Sequence, residues 1–156
     1  MEIERKFLIS RLPENLEQYS HMKIEQAYLC TDPVVRIRRQ DDKYILTYKS
    51  KGFLAREEYN LPLNEKAYLH LKSKADGIIL SKTRYLIPLD GELTIELDVF
   101  NAPYEDLYLA EVEFPSEKEA SEFLPPSWFG EEVTYSPLYH NSTLSSLPDS
   151  QNFGID

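Results

Sequence analysis

The sequence predicts a mainly β, α+β domain, a closed eight-stranded antiparallel barrel with helices packed on its outside. Two observations carry that expectation. Runs of alternating polar and apolar residues, rich in β-branched and aromatic side chains, recur along most of the chain between short turns. Six of those runs share one pattern, and in five of them like charges stand at i and i+2. Successive side chains of a strand point to opposite faces, so each such run has one charged face and one largely apolar face.

Taken in order, the first strand spans Glu2–Ile9, with Glu2, Glu4 and Lys6 set against Ile3, Arg5 and Phe7. A short helix is expected over Pro13–Tyr19. Strands follow at Lys23–Leu29 and at Val34–Arg39, where Arg36 and Arg38 alternate with Val35 and Ile37. The Asp41-Asp42 turn leads into Lys43–Lys49, with Thr47 and Lys49 on one face, and Ala55–Leu63 is read as one continuous strand. Asn64 can cap a helix over Glu65–Ala75, which Gly77 would end. Ile79–Ile87 presents Lys82 and Arg84, and after the Asp90-Gly91 turn Leu93–Val99 presents Glu96 and Asp98. Tyr108–Phe114, with Glu111 and Glu113, completes eight. Ser116 and Glu119 form a capping box for a helix that Pro125-Pro126 stops. A last helix is weakly signalled near Pro137–Ser146. Residues 1–146 read as a single domain, and the polar segment 147–156 as a flexible tail.

Composition bounds the chemistry. At 156 residues, 42% hydrophobic and 28% charged, the chain is long enough to bury a core and is not of disordered type. No apolar run approaches the ~20 residues of a membrane span, and the N-terminus is charged from its second residue. The formal net charge of −10 opposes binding to nucleic acid or an anionic membrane, although a local basic cleft could still attract a small anion. The single cysteine, Cys30, allows no internal disulfide, and a cytoplasmic location is expected. The glycines form no phosphate-cradling loop, and His21, His70 and His140 form no metal-binding pair. Phosphate chemistry would have to rest on side-chain charge.

A sheet with one wet face explains any one of these strands. It explains the set poorly. Like charges at i and i+2 stand only ~7 Å apart and repel unless something offsets them. With Arg56 and Glu58 facing the same way, the charged face gathers the acids Glu2, Glu4, Glu58, Glu96, Asp98, Glu111 and Glu113. It also gathers the bases Lys6, Arg36, Arg38, Lys49, Arg56, Lys82 and Arg84. Closed inward, this face makes a charged tunnel that is costly without ligands. Cations would offset the acids and a polyanion the bases. An all-carboxylate donor set suits hard cations, Mg²⁺ or Mn²⁺, and guanidinium and ammonium groups suit phosphate.

Glu2-Ile3-Glu4-Arg5-Lys6 resembles the E-x-E-x-K signature of the triphosphate tunnel metalloenzymes, the CYTH superfamily. Arg36-x-Arg38, Lys49, Lys82-x-Arg84, Glu96-x-Asp98 and Glu111-x-Glu113 recur in the family's order, so the resemblance runs from residue 2 to about 144. It implies an eight-stranded tunnel that hydrolyses or cyclises triphosphates with Mg²⁺ or Mn²⁺. It further implies Glu2, Glu4, Glu111 and Glu113 as metal ligands, with Asp98 helping. Lys6, Arg36, Arg38, Lys49, Arg56, Lys82 and Arg84 would bind substrate, Glu58 and Glu96 would orient the bases, and Lys6, Glu4 and Glu113 would be catalytic. The chain is most similar to small bacterial members that cleave inorganic tripolyphosphate, and no aromatic slot for a base is evident. Class IV adenylate cyclase, thiamine or nucleoside triphosphatase, and a non-catalytic polyphosphate-binding module are the alternatives, and a homodimer is left open. Larger members place a basic residue near the C-terminus in the tunnel. Nothing after Lys118 here is Lys or Arg, which leaves Tyr139 or His140 for that place, with His140 expected at the surface.

Overall fold

The computed structural model describes residues 1–146; the expected tail at 147–156 lies outside the described residues. Its strands are β1 (Glu2–Leu8), β2 (Ser20–Thr31), β3 (Val34–Gln40), β4 (Lys43–Lys49), β5 (Ala55–Arg56), β6 (Glu58–Leu63), β7 (Asp76–Pro88), β8 (Thr94–Phe100) and β9 (Tyr108–Glu113). All pair antiparallel in the order β5-β1-β9-β8-β7-β2-β3-β4-β6. The ninth strand is the second half of the run expected as one. β5 pairs with β1 (Glu2 opposite Arg56), whereas β6 pairs with β4 (Lys49 opposite Glu58). Between them the Glu57 N–H donates to Ser50 Oγ and its carbonyl accepts the Ser50 N–H, so the chain steps from one neighbour to the other. This step closes the barrel.

The helices are α1 (Glu65–Lys72), α2 (Glu117–Glu122) and α3 (Asn141–Ser146). Asn64 Oδ1 accepts the Ala67 N–H (2.7 Å), and Ser116 Oγ accepts that of Glu119 (3.1 Å), as their cap positions require. α1 is shorter than expected, because Lys74 and Ala75 bond back three residues and tighten the last turn. Pro13–Tyr19 makes only a 3₁₀ turn at Leu16–Gln18, since Asn15 sits at φ 58° and breaks any longer helix. Among the described residues no helix is long and apolar enough to cross a membrane.

The outer barrel face is largely apolar; helices cover much of it, while Tyr59 and Leu61 of β6 stay exposed. Ala27, Ile37 and Tyr68 form a core between α1 and strands β2 and β3. A larger one joins Ile3, Ile95, Leu97, Ala110 and Val112 of β1, β8 and β9 to Ala120 of α2, with Phe123, Trp128 and Phe129 packed against it. The third core lies differently. At one end of the barrel the inward positions turn from charged to apolar, at Tyr28, Val34, Leu80, Phe100 and Leu109. Tyr139 and Leu144 of the C-terminal segment pack among them and close that end. The seat is tight: a Cβ on Gly77 (φ +68°) would lie 2.3 Å from the Ser145 carbonyl oxygen, so only glycine serves there.

Candidate active site

The strand alternation brings twelve of the fourteen expected charged residues around one cavity of about 310 Å³; Lys82 and Asp98 do not line it. Both face inward but sit at the closed end, where Lys82 Nζ meets Asp98 Oδ2 at 2.6 Å with neither side chain exposed. Asp98 also accepts Nε and Nη2 of Arg84 at 2.7 and 2.9 Å. Its oxygens are thus turned toward cations of the chain and away from the cavity.

The acids form one wall across β1 and β9, with Glu4 opposite Glu113 and Lys6 opposite Glu111. Burial, and then the Glu111 charge, pushes the Glu4 carboxyl well above the usual range. Burial pulls Glu111 up as well, but Lys6, Arg84 and Lys82 hold it well below. Glu113, exposed at the rim, is raised by partial burial and by Glu2, Glu96 and Glu58. Glu96 is raised by burial, against the pull of Arg84. Among the described residues no group of three His, Cys, Asp or Glu is arranged to hold a metal ion alone.

The bases divide into two sets. Lys49 Nζ contacts Glu2 (2.9 Å) and Glu58 (3.6 Å), Arg56 Nε lies 3.7 Å from Glu2, and Arg84 is shared by Asp98 and Glu96. Arg36 and Arg38 are instead held by neutral groups. Arg36 Nη2 donates to Thr47 Oγ1 (3.3 Å), and its Nε is buried without a hydrogen-bond partner. Arg38 donates both Nε and Nη2 to Gln26 Oε1. Burial, then Arg36 and Arg84, lowers the Arg38 guanidinium to about 9. Burial likewise lowers Lys82 to about 7, despite Asp98.

Several contributors carry no sequence signal. The C-terminal segment brings His140, Asn141 and Ser142 to the cavity wall. Lys6 Nζ donates to the Tyr139 carbonyl (3.1 Å), and Lys82 Nζ to Asn141 Oδ1 (3.0 Å). His140 is therefore a lining residue and not a surface one, and burial with Lys6 and Arg56 lowers its imidazole to about 4. Beside this segment a second cavity of about 430 Å³ shares Lys49, Arg56 and His140 with the first. Phe53 lines it, with its ring 5.4 Å from that of His140, so an aromatic pair does stand beside the tunnel.

This geometry has known counterparts. The CYTH domain model matches residues 1–145. An inorganic triphosphatase of Nitrosomonas europaea is 42% identical over 152 residues, covering 94% of this chain and 99% of its own. One from Acetivibrio thermocellus is 34% identical over 151 residues, covering 94% of each. The crystal structure of the inorganic triphosphatase NE1496 superposes with a TM-score of 0.70 at 38% identity, over 95% of this chain and 97% of that one. A Hippeastrum adenylyl cyclase candidate, HpAC1, described by a dominant triphosphatase activity, shares the fold at 15% identity, with a TM-score of 0.61 over 78% of this chain and 83% of its own. By sequence and by barrel, the chain belongs to the CYTH domain family.

Proposed function

We propose that the protein is a divalent-metal-dependent triphosphatase that hydrolyses inorganic tripolyphosphate to pyrophosphate and phosphate. The observation that carries the reading is the pair Arg36 and Arg38, two cations facing the cavity on neutral partners, one with a buried and unpaired Nε. A buried donor left unmade costs about 1–3 kcal/mol or more when charged. A phosphate oxygen would satisfy it. The two relatives named as inorganic triphosphatases support the same substrate.

The donor set fits a hard cation. Glu2, Glu4, Glu111 and Glu113 offer oxygen alone, and the burial and mutual repulsion that raise Glu4 and Glu113 are what a cation would offset. These residues would hold Mg²⁺ or Mn²⁺, with phosphate or water supplying the remaining ligands. When bound, the metal supplies Lewis-acid charge on phosphate oxygens. The chain's own residues do the rest. Arg36, Arg38, Lys49, Arg56 and Arg84 position the phosphate chain and neutralise charge that develops on the bridging oxygen. Lys6, between Glu111 (3.5 Å) and the Tyr139 carbonyl, is placed to orient the attacking water. Glu58 and Glu96 brace Lys49 and Arg84. Asp98, both of whose oxygens are taken by Arg84 and Lys82, braces those bases. The proposal includes a cytoplasmic location and a small-molecule substrate, without nucleic acid or membrane.

The first test offers tripolyphosphate, ATP and thiamine triphosphate to the protein with Mg²⁺ or Mn²⁺ and identifies the products. Phosphate release should need metal and be faster from tripolyphosphate. Phe53 and His140 favour a second reading, in which the side cavity seats the ring of an organic triphosphate. Equal or faster turnover of ATP would establish that reading, and cyclic AMP would mark a cyclase. A second test is thermal melting with Mn²⁺, a slowly hydrolysed triphosphate analogue, both, or neither. A ligand at a hundred times its Kd adds about 2.7 kcal/mol. The combined shift should exceed the sum of the separate ones, because each ligand carries charge that the other binds. Additive shifts abolished by salt would contradict the enclosed tunnel.

A further inference from the structure

Gln26 faces inward from β2 with no exposure at all. Its Oε1 accepts Arg38 Nε at 2.9 Å and Nη2 at 2.7 Å. Its Nε2 donates to Asn141 Oδ1 (3.1 Å) and to the Tyr28 hydroxyl (3.3 Å). Asn141 Oδ1 also accepts Lys82 Nζ. The amide is thereby fixed in one sense, because turning it over would set its NH₂ against a guanidinium.

Arg84 shows the contrast. The same two guanidinium nitrogens, Nε and Nη2, are taken by the Asp98 carboxylate, with Glu96 3.4 Å from Nη1. A carboxylate and an amide can both hold the guanidinium fork, with opposite electrostatic results. The carboxylate cancels the charge; the amide leaves it whole. We propose that Gln26 is an affinity-determining positioning residue, aiming Arg38 at the phosphate chain with its charge undiminished and, through Asn141, tying that aim to the seated C-terminal segment. The inference rests on reading the tunnel as a polyphosphate site.

A carboxylate at this position would keep the fork on Arg38 and relieve its crowding by Arg36 and Arg84, while competing with substrate for Arg38. Tyr28 and a turned Asn141 amide would then donate to it, leaving Lys82 on Asp98. Stability and affinity should therefore move in opposite directions, which a purely structural role would not produce. The experiment compares wild type, Gln26→Glu and Gln26→Ala for melting temperature, for kcat and KM with tripolyphosphate and metal, and for metal-free tripolyphosphate binding by calorimetry. Gln26→Glu should melt no lower than wild type, yet raise KM and the metal-free Kd by about tenfold. Gln26→Ala should lower the melting temperature and raise KM together. A Gln26→Glu protein with KM and Kd within twofold of wild type overturns the proposal, and so does one that loses stability and affinity together. If that variant does not fold, Asn141→Asp decides, since it sets a carboxylate against Lys82 on the same relay. The same opposition should appear there, and a fall in both would overturn the idea. Wild type that neither binds nor cleaves tripolyphosphate refutes the functional reading itself.

Discussion

Replacing Asp98 by alanine should lower the melting temperature by about 6–20 °C. The side chain is fully buried and takes three short contacts from Lys82 and Arg84. Removing it leaves Lys82 in a closed space without its counter-ion and Arg84 with Glu96 alone. Breaking a buried pair in this way costs about 3–5 kcal/mol, and each kcal/mol is worth ~2–4 °C in a domain of this size. Differential scanning calorimetry measures it. Asp98→Asn keeps the shape and some of the hydrogen bonds, so its loss should be smaller. The pair also separates two roles. If Asp98 braces the bases, Asp98→Asn keeps the wild-type melting shift on adding Mn²⁺. If it ligates metal, that shift disappears.

The inward face of the barrel was legible because its charges break the usual rule. An interior is ordinarily apolar, so paired like charges at i and i+2 mark the tunnel side wherever they occur. The marker holds on β1, β3, β7, β8 and β9, and fails on β2. There Lys23 and Glu25 point outward, with Glu25 meeting Lys72 (2.9 Å) and the Tyr68 hydroxyl of α1 (2.7 Å). The inward side carries Ile24, Gln26 and Tyr28, so the residue that holds Arg38 gives no charge signal. The break at Glu57 was hidden for another reason. Arg56, Glu58 and Asn60 keep one face of Ala55–Leu63 polar, so the run reads as one strand although Glu57 interrupts its apolar face, and the change of partner between β1 and β4 divides it there. Asn141 and His140 belong to a helix and an adjoining turn too short to show a period, and they reach the cavity because Tyr139 and Leu144 anchor the segment in the apolar end of the barrel. Tertiary packing made that contribution, and no local pattern encodes it.

The largest expected loss of activity follows from the acidic wall. Glu4→Ala and Glu113→Ala should each lower kcat/KM for tripolyphosphate by ~100-fold or more, the scale of losing one electrostatic stabiliser of a transition state. Glu4 is buried, and Glu113 sits directly across the ladder from it at the rim. In both variants the carboxylates Glu2 and Glu111 stay in place, so the loss tests the individual donor and not the barrel. Glu17→Ala and Glu122→Ala, on exposed turns of the outer surface, should leave turnover unchanged. Stability supplies the independent readout. Removing Glu4 takes away one oxygen donor from the acidic wall, so the variant's melting shift on adding Mn²⁺ should shrink while its ligand-free fold persists. A misfolded variant would lose both stability and turnover. A Glu113→Ala protein with near wild-type kcat/KM would show that the rim carboxylate faces solvent for ordinary reasons, and the site would then contract to Glu2, Glu4 and Glu111.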